Sequence, residues 1–121
     1  MDRTGFYERA KRGIGSQFSR EDLDAIRVLR TSDVLRRVPG VRLRRNGPGT
    51  ASAVSRRGQG LSGLCTLEVY VDGMRMFAPY DLDLIPPDQI EGMEIYDGPG
   101  TPIQYQSLRT GCGAVLIWTR R

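Results

Sequence analysis

The sequence predicts an α+β domain, a half-buried sheet flanked by short helices and long loops, and three patterns carry that reading. Leu67-Glu68-Val69-Tyr70-Val71-Asp72-Gly73 and Met93-Glu94-Ile95-Tyr96-Asp97-Gly98 both alternate apolar and polar residues and both end in Asp-Gly. Side chains two apart share a strand face, so Leu67, Val69 and Val71 form one apolar face and Met93 and Ile95 another. Ser19-Arg20-Glu21-Asp22 sets a capping hydroxyl three residues before an acid, the signature of a helix start. Ala114-Val115-Leu116-Ile117-Trp118 is apolar at both parities, which predicts a strand central in its sheet or covered from both sides.

In chain order, residues 1–18 are polar and basic with scattered apolar anchors (Phe6, Tyr7, Ile14, Phe18), and read as a flexible basic lead-in to a single domain over 19–121, within which Gly13–Phe18 offers a short strand that its glycines weaken. The first helix covers about 20–28, with Leu23, Ile26 and Leu29 on its buried face. A second starts at Thr31 or Ser32, buries Val34, Leu35 and Val38, and is stopped by Pro39-Gly40. Val41-Arg42-Leu43-Arg44-Arg45 alternates as a strand, Asn46–Gly49 turns the chain, and Ala51–Arg57 is a weakly patterned strand. Glycine-rich residues 58–63 read as a flexible loop before Cys65. Asp72-Gly73 turns the organising strand into a hairpin with Met74-Arg75-Met76. Asp81–Ile90 is a loop with one or two helical turns opening on proline, and the whole proline-bearing segment between the two organising strands has about the length of a crossover. Gly-Pro-Gly-Thr occurs at 47–50 and again at 98–101, each time after a strand, as a turn used twice.

Composition narrows the functional classes. A chain of 121 residues is one domain, and no apolar run approaches the roughly 20 residues of a helical membrane span. The start, Met1-Asp2-Arg3-Thr4-Gly5, lacks the apolar core of a secretory signal, which predicts either a cytoplasmic chain or a leader and upstream segment outside this sequence. The net charge of +4 divides unevenly: residues 1–60 hold 14 basic and 6 acidic side chains, residues 61–121 hold 4 and 8. Such asymmetry serves either internal pairing or a basic surface facing an anionic partner. Arg36, Arg37, Arg42, Arg44, Arg45, Arg56 and Arg57 are half of those fourteen basic side chains, and on paired strands Arg42, Arg44, Arg45, Arg56 and Arg57 would form a stripe that is the candidate partner or anion site. Nucleic acid is disfavoured, because neither aromatic platforms nor a recognition helix accompany the stripe. Tyr70 and Tyr96, exposed by strand parity, lie in the acidic half.

Catalysis is not expected. The chain has no histidine, so no Ser-His or Cys-His nucleophile can form, and its one lysine, Lys11, lies in the lead-in. Asp81, Asp83, Asp88, Glu91, Glu94 and Asp97 lack the close regular spacing of a calcium loop and read as solvated edges. Gly98-Pro99-Gly100-Thr101 lacks the Gly-Lys ending of a phosphate loop. No cofactor and no metal are predicted. Cys65 and Cys112 are too few for structural zinc, which leaves a disulfide between them, expected here, or two free buried thiols.

Five segments in order resemble the plug domain of TonB-dependent outer-membrane receptors: Asp33-Val34-Leu35-Arg36-Arg37-Val38-Pro39-Gly40-Val41; Arg57-Gly58; Val69–Arg75; Ile85–Pro99; and Gly113–Arg120. The resemblance implies a mixed sheet of about four main strands with short helices and long loops, housed in a 22-stranded barrel, where the domain closes the pore and helps hold the ligand. It implies a barrel or another membrane-associated complex as partner, an energy-coupling protein engaged through an upstream segment, and residence in the cell envelope, on the periplasmic side or within the outer membrane of a Gram-negative-type bacterium. A cysteine at 112 departs from the family's pattern. With no barrel after Arg121, a free-standing accessory subunit docked on a larger membrane or periplasmic complex is the alternative expectation, and a basic module binding anionic partners the second.

Overall fold

A computed structural model describes residues 5–27, 29–45, 51–55, 65–76, 80–97, 101, 102, 105 and 112–120. Its helices are α1 (Phe6–Lys11) and α2 (Arg20–Ile26). Its strands are β1 (Ser16–Ser19), β2 (Val41–Arg45), β3 (Ala51–Ser55), β4 (Cys65–Thr66), β5 (Glu68–Val71), β6 (Met74–Arg75), β7 (Ile90–Asp97) and β8 (Gly113–Thr119). They form a five-stranded sheet ordered β1-β7-β8-β5-β6 and a three-stranded sheet ordered β2-β3-β4.

The doubly apolar β8 lies in the middle, antiparallel to β7 and parallel to β5. Period two then sorts its side chains. Val115 and Ile117 enter the larger core with Leu23, Leu35, Leu67, Met93 and Ile95. Ala114, Leu116 and Trp118 enter a second, aromatic core with Phe6, Tyr96 and Tyr105. The two organising strands therefore belong to one sheet, as expected, with β8 between them. The sheet is also not half-buried. Tyr96, expected on an exposed face, is 1% accessible, since Phe6 of α1 and Tyr105 pack on that face.

Local chemistry explains the element ends. Ser19 caps α2: its Oγ accepts from the Asp22 N–H while the Asp22 carboxylate accepts from the Ser19 N–H, which satisfies two first-turn donors. Arg27 closes α2 in the left-handed region at φ 52°, so Leu29 lies beyond the helix and is 89% exposed rather than buried on its face. Thr31–Arg37 forms a 3-10 helix that still buries Val34 and Leu35. It is pinned from outside: Asp83 accepts from the Ser32 N–H at 2.9 Å and Ser32 Oγ at 3.0 Å, and the Thr31 hydroxyl donates to the Ile85 carbonyl. Pro86-Pro87 opens the 3-10 turn Pro87–Gln89, and a second such turn covers Leu82–Leu84. Asp72 and Gly73, at φ 52° and 89°, make the tight β5–β6 hairpin. The Asp72 carboxylate also accepts from the Thr119 N–H and hydroxyl, tying the end of β8 to that turn.

Residues 6–11, within the expected flexible lead-in, form α1, with Phe6 2% exposed, and the short strand offered at Gly13–Phe18 is present as β1 at 16–19, antiparallel to β7. The burial of Phe6 and Arg9 outweighs the polar composition that suggested mobility. The loop at 58–63 and most of both Gly-Pro-Gly-Thr turns lie outside the described residues.

Candidate functional sites: a basic groove and a buried carboxylate

The 3-10 helix Thr31–Arg37 runs through Pro39-Gly40 into β2, and the corner between them leaves an open groove of about 610 Å³. Arg36, Arg37 and Arg42 line it, over a floor that includes Leu35, Val38 and Val41. Alternation along β2 sends Val41 inward and Arg42 and Arg44 to solvent, so this much of the expected stripe is present. Arg36 and Arg37, exposed on the preceding turn, extend it. Among the described residues none of these four arginines makes an ion pair. The side chain of Arg45, and Arg56 and Arg57 altogether, lie outside the described residues. At the groove's corner Gly40 takes φ 83°, and a Cβ there would lie 2.6 Å from Asp97 Oδ2, so the position admits no larger residue without moving that carboxylate.

Several acids read as solvated edges are internal acceptors instead. Asp81 caps its 3-10 turn and accepts from the Ala51 N–H at 3.0 Å, joining the acidic segment to β3, while Asp83 holds Ser32. The charge asymmetry of the sequence is thus partly satisfied inside the fold.

Glu94 is the largest departure from expectation. It sits on the β7 face that carries Tyr96 and is 0% exposed. Arg9 reaches it from α1, with Nε 2.6 Å from Oε1 and Nη2 2.7 Å from Oε2. The Tyr96 hydroxyl donates to Oε1 and the Trp118 indole N–H to Oε2 at 2.7 Å, so both oxygens are occupied twice. Gln17 Nε2 donates to the Tyr96 oxygen at 3.1 Å. The Arg9 guanidinium also lies 5.7 Å from the Tyr105 ring centroid and 5.9 Å from that of Trp118, within cation–π range. Its hydrogen bond to Glu94 raises the Arg9 pKa further. Burial, then the bond to Glu94, pushes the Tyr96 phenol well above the usual tyrosine value. The result is a fixed, fully paired charge with no nucleophile beside it. The sequence held one usable signal: Trp118 shares its β8 face with Leu116, and a covered face on β8 implies a covered face on the adjacent β7, where Glu94 stands.

Cys112, 4% exposed, is disulfide-bonded, while the side chain of Cys65 lies outside the described residues. Among the described residues, no three His, Cys, Asp or Glu side chains are grouped to hold a metal ion. No described helix is long and apolar enough to cross a membrane.

A family profile described as TonB-dependent Receptor Plug Domain matches residues 11–111. Among solved structures, the siderophore receptor PirA from Acinetobacter baumannii is similar at 27% identity and TM-score 0.64, over 88% of this chain. A mutant of the ferric enterobactin receptor PfeA from Pseudomonas aeruginosa is similar at 22% identity and TM-score 0.65, again over 88% of the chain. P. aeruginosa FpvA bound to heterologous pyoverdines is similar in fold at 14% identity and TM-score 0.62 over 88% of the chain. The match spans 17% of the PirA and PfeA chains and 14% of FpvA. No curated protein matches the chain.

Proposed function

The chain belongs to the TonB-dependent receptor plug domain family, and we propose that it works as a non-catalytic occluding and binding domain of an outer-membrane transport system. The observation carrying this reading is the agreement of the whole two-sheet architecture with the plug portions of siderophore receptors, at TM-scores of 0.62–0.65 over 88% of the chain. The physics supports it. A domain that fills a barrel's polar lumen needs a closed core of its own and a charged exterior, and here two cores are enclosed while Arg36, Arg37, Arg42 and Arg44 stay outside.

In this reading the groove arginines meet acidic side chains of the surrounding barrel or of another envelope protein, and an upstream segment engages an energy-coupling protein. Cys112 pairs with Cys65, the other cysteine of the sequence, which suits an oxidising compartment. Residence on the periplasmic side or within the outer membrane follows from the same assignment. The profile match from residue 11 supports a domain that begins ahead of β1.

The test is cross-linking of the tagged chain in native membranes, followed by capture and mass identification of what it is bound to. Recovery with a β-barrel, in the same polypeptide or beside it, is the expected result. Recovery on a complex with no barrel would replace occlusion with the accessory-subunit reading. A paired Arg42→Glu, Arg44→Glu chain should keep its thermal stability, since exposed sites contribute within about 0.5 kcal/mol, and should lose cross-linking yield. Unchanged yield would remove these arginines from the interface.

A further inference from the structure

The buried side chains of α1 are Phe6 and Arg9. Phe6 is 2% and Arg9 8% exposed, whereas Tyr7, Glu8 and Lys11 face solvent. Glycines with positive φ flank the helix, Gly5 at 78° before it and Gly13 and Gly15 at 71° and 78° after it. Gly15 packs so closely on Tyr96 that a Cβ would lie 2.4 Å from the ring, so the chain turns flat against the sheet before β1 begins. The groups that grip the Arg9 head come from elsewhere: the Glu94 carboxylate and the rings of Tyr105 and Trp118.

The hydrogen-bonding groups of that host stand on the sheet and not on α1, although Phe6 of α1 packs in the same aromatic cluster. The Tyr96 hydroxyl and the Trp118 indole each hold one Glu94 oxygen, which fixes the plane of the carboxylate and leaves its outer edge to a planar, two-pronged donor. Side-on contact through Nε and Nη2 suits a guanidinium and not an ammonium, which offers a single point of charge. Aromatic rings at 5.7 and 5.9 Å favour the same weakly hydrated cation.

We propose that the slot around Glu94 is a guanidinium-binding site filled in cis by Arg9, and that α1 is a releasable latch whose withdrawal opens the slot to an arginine side chain supplied by another polypeptide. The inference rests on the geometry of the slot and is independent of the transport reading. A helix of six residues can open locally while the sheet stays folded, at the cost of the Arg9–Glu94 pair and the burial of Phe6.

Arg9→Ala removes the side chain beyond Cβ, and N-ethylguanidinium replaces those atoms. The chain's single tryptophan is Trp118, so its emission reports the slot directly. Millimolar ethylguanidinium is expected to shift that emission saturably and raise the Tm of Arg9→Ala, whereas ethylammonium at equal ionic strength does neither, and the wild-type chain, its slot filled, does not respond. Should Arg9→Ala be unfolded in buffer, ethylguanidinium is expected to restore a cooperative melt. Absence of a saturable response in either case, equal action by ethylammonium, or a response that survives in Arg9→Ala/Glu94→Gln overturns the site. For the latch, amide exchange of the wild-type chain is decisive. Arg9, Arg12 and Gly13, bonded to Gly5, Arg9 and Ala10 carbonyls, are expected to exchange about tenfold faster or more than β8. Equal protection overturns release.

Discussion

Replacing Arg9 by leucine keeps apolar bulk beneath α1 and deletes the one cation paired with Glu94. The carboxylate loses two charge-assisted hydrogen bonds, at 2.6 and 2.7 Å, in a position with no access to water. Breaking one side of a buried ion pair costs about 3–5 kcal/mol. The two donors that remain, Tyr96 and Trp118, place Arg9→Leu near about 3 kcal/mol. Glu94→Leu strands the guanidinium, the phenol and the indole together; with about 1–3 kcal/mol for each buried donor left without an acceptor, it should cost about 4–5 kcal/mol. In the double variant no charge is left unpaired and only the phenol and the indole lack their acceptor, so the loss should fall below that of Glu94→Leu alone, and the cycle should close with a coupling of at least about 3 kcal/mol. Against a total stability of roughly 6–18 kcal/mol for this length, either single change is a large fraction. The fall in Tm is about 12 °C for Arg9→Leu and about 16–20 °C for Glu94→Leu. Urea titrations followed by far-UV circular dichroism measure all four corners. Additivity within about 0.5 kcal/mol would refute the reasoning, because it would mean that Arg9 and Glu94 do not depend on each other.

Three further outcomes follow from other parts of the fold. At Gly113, φ is 130° and a Cβ would lie 2.0 Å from the Tyr96 carbonyl oxygen, a backbone atom that cannot swing aside; Gly113→Ala should cost about 3 kcal/mol, and a Tm within experimental error of the parent would contradict so close an approach of β7 to β8. Bonding of Cys65 to Cys112 closes a loop of about 48 residues and should contribute on the order of 4 kcal/mol; reduction should lower the Tm accordingly, and two reactive thiols in denatured, unreduced chain would dismiss the pairing. Burial raises the phenols of Tyr96, Tyr70 and Tyr80, so the folded state holds their protons where the unfolded chain releases them. Their contribution is complete below the ordinary tyrosine value near 10 and declines as pH rises from there toward the folded values. Stability should therefore fall with rising pH above about 10, more gently in Tyr96→Phe; an identical slope would show that Tyr96 is not among the groups responsible.

The sequence by itself determined the features that repeat within a few residues. Alternation located β5 and β7 and set which residues share a face, Ser19 and Asp22 fixed the start of α2, and Asp72-Gly73 fixed the hairpin, because each depends on backbone geometry that the local residues dictate. The apolar character of β8 at both parities also foretold its central place. Arg42 and Arg44 could be placed outside by the same alternation. Tertiary structure alone decided what covers the second face of the sheet. Arg9 and Glu94 are 85 positions apart, and neither shows periodicity that could announce a partner, so a basic residue in a polar segment and an acid in a strand read as solvated. Only the closing of α1 over β7 and β8 removes water from between them, and with water gone an ordinary pair of charges becomes an obligatory bond. Asp81, Asp83 and Asp72 follow the same rule: their roles as acceptors were invisible until distant backbone N–H groups arrived beside them.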